Sequence, residues 1–244
     1  MGRTIVIGDI HGCFEELQDL LRVVELRTDD RVIAVGDLIV KGPQSREVLD
    51  RFIEDNRFSA VLGNHDRALR QHWRGEPRRL SKEQQLTAAE LESDRERYSA
   101  YLRSLPFTIN LGFHLIVHAG VRPGVPLRRQ VSSDLTEMRT MGANPSSRRG
   151  VPWFDVYRGR KIVIFGHWPA KAPRVARRAL GLDTGCVYGG RLTAYIIELN
   201  QFVSVPARQP YVSKRRVRPV RSRVRQQLSP KTSPRRPATA LEMN

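Results

Sequence analysis

One pattern occurs five times in this chain of 244 residues and limits its fold more than any other feature: a short apolar run, followed at once by glycine and by side chains that can bind a metal. Residues 5–7 lead into Gly8-Asp9-Ile10-His11-Gly12, and residues 32–35 into Gly36-Asp37. Residues 60–62 lead into Gly63-Asn64-His65-Asp66, residues 115–117 into His118-Ala119-Gly120, and residues 162–165 into Gly166-His167. Runs this short, rich in Val and Ile and bounded by Gly, read as buried strands whose function lies in the loops that follow them. Five strand ends are then expected to deliver Asp9, His11, Asp37, Asn64, His118 and His167 to one place.

Those side chains offer carboxylate oxygen, amide oxygen and imidazole nitrogen. Such donors suit hard to borderline divalent cations, Mn first, with Fe, Zn, Co or Ni as alternatives. Six ligands fit a pair of ions roughly 3.5–4 Å apart better than a single ion. Asp9, His11 and Asp37 are expected to hold one ion, and Asp37, Asn64, His118 and His167 the other, with Asp37 as the bridge.

Between these loops the pattern changes to helical spacing. Residues 14–26 carry Leu17, Leu20, Leu21 and Val24 on one face, and residues 44–55 form the next helix after Gly42-Pro43. The β-α-β-α alternation predicts an α/β fold with a largely parallel sheet. Residues 67–103 are dense in charge and predict two amphipathic helices separated by Gly75-Glu76-Pro77. Residues 107–117 predict a hairpin about Gly112, residues 131–141 a helix carrying Arg139, and residues 192–199 and 202–205 the closing strands of a second sheet.

The length suits one domain with a full core. No apolar run approaches the roughly 20 residues of a membrane span, and no secretory segment is visible, so a soluble, cytoplasmic protein is expected. The two cysteines, Cys13 and Cys186, are expected as reduced thiols. Beyond about residue 206 the composition shifts: residues 208–244 hold eleven Lys and Arg against one acid, Glu242, and so supply ten of the chain's seventeen excess positive charges. With few large apolar residues and several prolines, residues 207–244 are expected to be a disordered basic tail, and residues 1–206 the catalytic domain. Such a tail suits weak binding to nucleic acid through phosphate neutralisation.

The five blocks, in this order, resemble the calcineurin-like phosphoprotein-phosphatase superfamily of metallophosphoesterases over about residues 3–200. Pro152-Trp153-Phe154, Phe165-Gly166-His167-Trp168, Leu182-Asp183-Thr184-Gly185-Cys186 and Gly189-Gly190-Arg191-Leu192-Thr193 are most similar to its ApaH-type branch, which includes symmetrical diadenosine tetraphosphatases and the ApaH-like phosphatases. The resemblance implies a two-sheet β-sandwich flanked by helices, with a helical cap at about residues 67–104. It implies His65 as the group that assists the leaving oxygen, and an arginine near position 139 as a phosphate contact. Lys41 is expected to hold a phosphate oxygen and Trp168 to form part of the site wall. Asp66 either orients His65 or caps the helix after it.

One departure from the protein-phosphatase pattern bears on substrate. Val40-Lys41 stands where Asp-Arg is usual, so the acid that would support His65 is missing. An alkoxide leaving group benefits from a positioned acid by about 10²–10⁴-fold, whereas a nucleotide phosphate leaves as a stabilised anion. The sequence therefore favours a dinuclear metallophosphatase cleaving dinucleoside polyphosphates, diadenosine tetraphosphate to two ADP, by attack of a metal-bound hydroxide. The alternatives are a protein serine/threonine phosphatase, a hydrolase of nucleotide-capped RNA 5′ ends that would use the basic tail, and a binding protein on an inactive phosphatase fold. Oligomeric state is left open.

Overall fold

In the computed structural model residues 2–212 are described, and the greater part of the expected basic tail lies outside them. The element order is β1 (Thr4–Ile7), α1 (Phe14–Val23), β2 (Arg31–Ala34), α2 (Ser45–Glu54), β3 (Phe58–Ala60), α3 (Asn64–Trp73), α4 (Lys82–Glu90), α5 (Arg95–Ser104), β4 (Thr108–Leu111), β5 (His114–Val117), α6 (Ser132–Glu137), α7 (Trp153–Val156), β6 (Ile162–Phe165), β7 (Arg174–Ala176), β8 (Ala179–Gly181), β9 (Arg191–Ile196) and β10 (Gln201–Pro206).

The strands form two five-stranded sheets, in the orders β10-β9-β1-β2-β3 and β4-β5-β6-β8-β7. The alternation of side chains along each strand explains why these runs are apolar throughout. Val6, Ile33 and Val35 from the first sheet meet Ile116, Ile164 and Leu180 from the second in the layer between them. Their neighbours Ile5, Ile7, Val32 and Ala34 point the other way, onto α1 and α2 through Leu17, Leu20, Val48 and Leu49. On the far face of the second sheet, Leu115, Val117, Val163 and Phe165 pack on Trp153 and Met138. A strand buried on both faces has no polar side, so it loses the period-2 signal.

Strands β1, β2 and β3 are parallel, as are β5, β6 and β8, so their C-terminal ends collect at one edge of the sandwich. The closing strands correct the sequence reading: β9 and β10 do not complete the second sheet but extend the first, β9 pairing antiparallel with β1 through Ile5↔Ile196 and Ile7↔Ala194. Local hydropathy marks a strand but carries no information on which edge it joins. The second sheet is completed instead by the hairpin β7–β8, a pair too short to be read from its apolar residues.

The segment expected as a helical cap contains three α-helices rather than two, because Leu91 ends α4 and a 3₁₀ turn at Glu92–Asp94 redirects the chain into α5. The expected helix over residues 131–141 is only Ser132–Glu137. It stops there because Arg139 and Thr140 both donate their backbone N–H to Pro145 O, drawing the chain into a loop. Beyond β10 the chain stays packed: Ala207 N donates to Gly190 O, and Tyr211 and Val212 donate to Val187 O.

Candidate metal centre

The loops at the C-terminal ends of β1, β2 and β6 are held in backbone conformations that L-residues rarely adopt. His11 (φ 52°), Asp37 (φ 51°), Val40 (φ 76°), Lys41 (φ 79°) and His167 (φ 66°) are all left-handed. For β-branched Val40 this is a true outlier. Such strain, of order 1–3 kcal/mol per residue, persists where the surroundings over-determine the backbone, and functional sites are where it gathers. Here Ile10 N and His11 N both donate to Asp37 O, and Gly12 N donates to Leu38 O, locking the first two loops together.

The resulting cavity, about 200 Å³, is lined among others by Asp9, His11, Asp37, Lys41, Asn64, His65, Arg139, His167 and Asp183. His118 is fully buried behind it. Asp37 is central: its Oδ2 lies 3.5 Å from His11 Nε2 and its Oδ1 3.5 Å from His118 Nε2. Asp9 Oδ2 is 4.0 Å from His11 Nε2 on one side. On the other, Asn64 Oδ1 is 3.0 Å from His118 Nε2 and 2.8 Å from His167 Nδ1. The six expected ligands are thus brought together around Asp37.

Each imidazole is anchored through its other nitrogen. His11 Nδ1 donates to Ile39 O (3.2 Å), His118 Nδ1 to Val35 O (2.9 Å) and His167 Nε2 to Glu137 O (3.2 Å). A ring that donates from one nitrogen presents a lone pair from the other, so all three aim lone pairs inward. Around Asn64 Oδ1 this leaves acceptors facing an acceptor at hydrogen-bond distance, with no proton to share. A cation among them satisfies every one.

The electrostatics point the same way. Burial pushes all three imidazoles toward their neutral, ligating form. It also raises Asp9, helped by Asp183 and Asp37, and raises Asp183 to about 6. Burial opposes ionisation of Asp37 too, but attraction to any proton carried by His118, His65 or His11 and to the Lys41 ammonium outweighs it and holds Asp37 below the usual carboxylate range. A buried group of three carboxylates beside neutral imidazoles is stabilised by a divalent cation. The donors therefore fit the group that the fold implies.

The family model for calcineurin-like phosphoesterase matches residues 2–196. The chain belongs to this family. Among curated relatives of this phosphoesterase, a bis(5′-nucleosyl)-tetraphosphatase PrpE, asymmetrical, from Bacillus subtilis is 32% identical over 88% of this chain and 98% of its own length. One of the same name from Anoxybacillus flavithermus is 32% identical over 86% of this chain and 96% of its own. A bis(5′-nucleosyl)-tetraphosphatase, symmetrical, from Vibrio parahaemolyticus is 31% identical over 78% and 93%. A crystal structure provisionally assigned as a diadenosine tetraphosphatase superposes with a TM-score of 0.71 at 33% identity, covering 84% of this chain and 94% of that one. A yeast protein serine/threonine phosphatase, 14% identical over 84% of this chain and 79% of its own, shares the fold with a TM-score of 0.60. The phosphoesterase is therefore a metal-dependent hydrolase, and the family uses divalent metals.

Around the ligands the phosphoesterase presents further groups. Asp66 is at N3 of α3 and accepts from Gly63 N at 3.1 Å and Leu38 N at 3.1 Å, so it caps the helix and ties it to the Asp37 loop, and it does not orient the imidazole of His65. His65 Nδ1 instead meets Gln84 Nε2 of α4 at 3.3 Å. Lys41 Nζ lies 3.0 Å from His11 Nε2 and lines the cavity. Arg139 reaches Ser146 O (2.9 Å) with Nη1, while its buried Nε has no hydrogen-bond partner among the described residues. Trp168 departs from expectation: it does not line the cavity, but lies under the Arg174 guanidinium at 4.9 Å and against Phe154. Sequence reading missed Gln84 and Arg148. The only local sign of Gln84 is the Ser81-x-x-Gln84 capping box, and that of Arg148 a basic pair in a polar loop.

Proposed function

We propose that this phosphoesterase hydrolyses the phosphoanhydride chain of dinucleoside tetraphosphates at a dinuclear centre held by Asp9, His11, Asp37, Asn64, His118 and His167, Mn being the expected ion. When bound, divalent cations supply Lewis-acid chemistry, lowering the pKa of water and neutralising charge on phosphoryl oxygens. Lys41, Arg139 and Arg148, all on the cavity wall, bind and orient the polyphosphate. The name shared by the relatives supports the substrate class. Most of them carry the asymmetrical form, giving ATP and AMP, while the sequence expectation is two ADP; the two differ only in which phosphoryl group is seated on the centre.

The observation that carries the anhydride reading is the contact between Gln84 and His65. Gln84 Oε1 accepts from Ser81 N at 2.9 Å in the capping box of α4, so its Nε2 is the donor toward His65 Nδ1. His65 Nδ1 must then accept, which leaves the proton on Nε2 and makes the ring a neutral hydrogen-bond donor. Burial lowers the His65 pKa to about 4, in keeping with a ring that is not an imidazolium. Such a group stabilises a departing phosphate oxygen but is a weak acid for an alkoxide. Val40, at the position where a supporting acid is usual, is fully buried in the core, so an acid is better tested at Gln84 than there.

Replacing Gln84 by glutamate keeps the capping box, since Ser-x-x-Glu caps equally well, but changes the group at His65 from donor to acceptor. Across aryl phosphates of rising leaving-group pKa, Gln84→Glu is expected to flatten the fall in log kcat/KM, gaining about tenfold or more on the poorest leaving groups. Gln84→Leu should lower all substrates without changing the slope. An unchanged slope in a folded Gln84→Glu protein would remove the anhydride argument.

A further inference from the structure

A second cluster of donors lies apart from the cavity. Cys13, the residue just before α1, Glu16 in the first turn of α1 and Cys186 in the loop after Asp183 are all buried, Glu16 at 0% exposure. One ligand atom of each lies within 4.8 Å of the other two. Glu16 Oε1 is satisfied twice, by Arg208 N and by the Tyr211 hydroxyl, each at 2.9 Å. Among the described residues Glu16 Oε2 has no hydrogen-bond partner. A buried carboxylate oxygen left unpartnered is costly unless a positive charge meets it, and the sulfurs of Cys13 and Cys186 lie within 4.8 Å of a Glu16 carboxylate oxygen.

We propose that Cys13 Sγ, Glu16 Oε2 and Cys186 Sγ bind one thiophilic divalent cation, zinc by class, at a structural site separate from the catalytic centre. Thiolate selects this class where the Asp, Asn and His donors of the cavity select harder ions. Both thiols lose their protons to solvent on binding, with no change of oxidation state. A disulfide between Cys13 and Cys186 would leave Glu16 Oε2 as unpartnered as before, whereas a cation satisfies all three donors. The site would clasp the residue after Asp9-Ile10-His11-Gly12 to the loop that carries Asp183 and Tyr188 into the cavity, so its loss should loosen both walls.

The test uses cobalt as probe on the full chain. Cobalt-loaded protein is expected to show thiolate-to-cobalt charge-transfer absorption at one equivalent. The nitrogen and oxygen donors of the cavity cannot produce that band. It should persist in Asp37→Asn and vanish in Cys186→Ser. If Cys186→Ser does not fold, zinc-loaded wild type titrated with an organomercurial reports instead, with one zinc released as the two thiols are blocked. Absence of the band together with no zinc release, or an intact Cys13–Cys186 disulfide in the purified chain, would overturn the proposal.

Discussion

Asp37→Ala is expected to abolish metal-dependent turnover, lowering kcat/KM by about 10³-fold or more, because metal stabilisation of the transition state is worth several kcal/mol and each 1.36 kcal/mol is tenfold. The size follows from position. Asp37 is the carboxylate whose two oxygens face His11 and His118, so its loss removes a donor from both halves of the centre at once. Asp37 Oδ1 also accepts from His65 N at 2.9 Å, so the same change frees the first turn of α3. Asp37→Asn separates these effects, since an amide oxygen keeps the hydrogen bond while the bridging charge is lost. Titrating Mn against turnover reads the result, and raising Mn should not restore either variant. Near-normal activity in Asp37→Ala would exclude the bridging role.

Gly166→Ala is expected to lower Mn affinity by about 10–100-fold, the range seen when a ligand's supporting shell is disturbed. Gly166 follows β6 and brings its backbone against the Asp9 carboxylate; a Cβ there would fall on Asp9 Oδ1 and come within 2.6 Å of Val35 Cγ2. Asp9 is also held by His167 N, which donates to both its oxygens at 3.0 Å. The alanine therefore displaces one ligand and the backbone of another. Overpacking should also cost about 1–3 kcal/mol of stability. Gly124→Ala is the control: nothing lies within 4 Å of its Cβ, so it should cost only the left-handed backbone penalty of about 1–2 kcal/mol. Calorimetric Mn binding beside thermal melts distinguishes the two, and unchanged affinity in a folded Gly166→Ala would contradict the placement.

The candidate centre was legible in the sequence because each candidate ligand sits at the end of a short buried strand, where hydropathy, glycine and the donor fall within a few residues. Asp9 and His11 follow β1, Asp37 follows β2, Asn64 follows β3, His118 follows β5 and His167 follows β6. What was illegible depends on contacts between segments far apart in the chain. Gln84 meets His65 across 19 positions through a helix whose own pattern says only that it is capped. Trp168 adjoins a ligand in sequence, yet the left-handed turn at His167 sends its ring toward Arg174 instead of the cavity. The pairing of β9 with β1 joins residues nearly 200 positions apart, and alternation within β9 cannot specify it. Arg139 lines the cavity, but its helical spacing gave no sign that α6 ends at Glu137, whose carbonyl accepts from His167 Nε2.

The measurement that tests the central claim most directly is an Mn-supplemented comparison of diadenosine tetraphosphate with a phosphoserine peptide, with products resolved by chromatography. The account predicts kcat/KM for the dinucleotide at least about 10²-fold above that for the peptide, the lower end of what a positioned acid contributes. ADP alone would mark symmetrical cleavage, and ATP with AMP the asymmetrical form. Preferential dephosphorylation of the peptide would contradict the account, since His65 would then be serving an alkoxide without the acid that Val40 and Gln84 deny it.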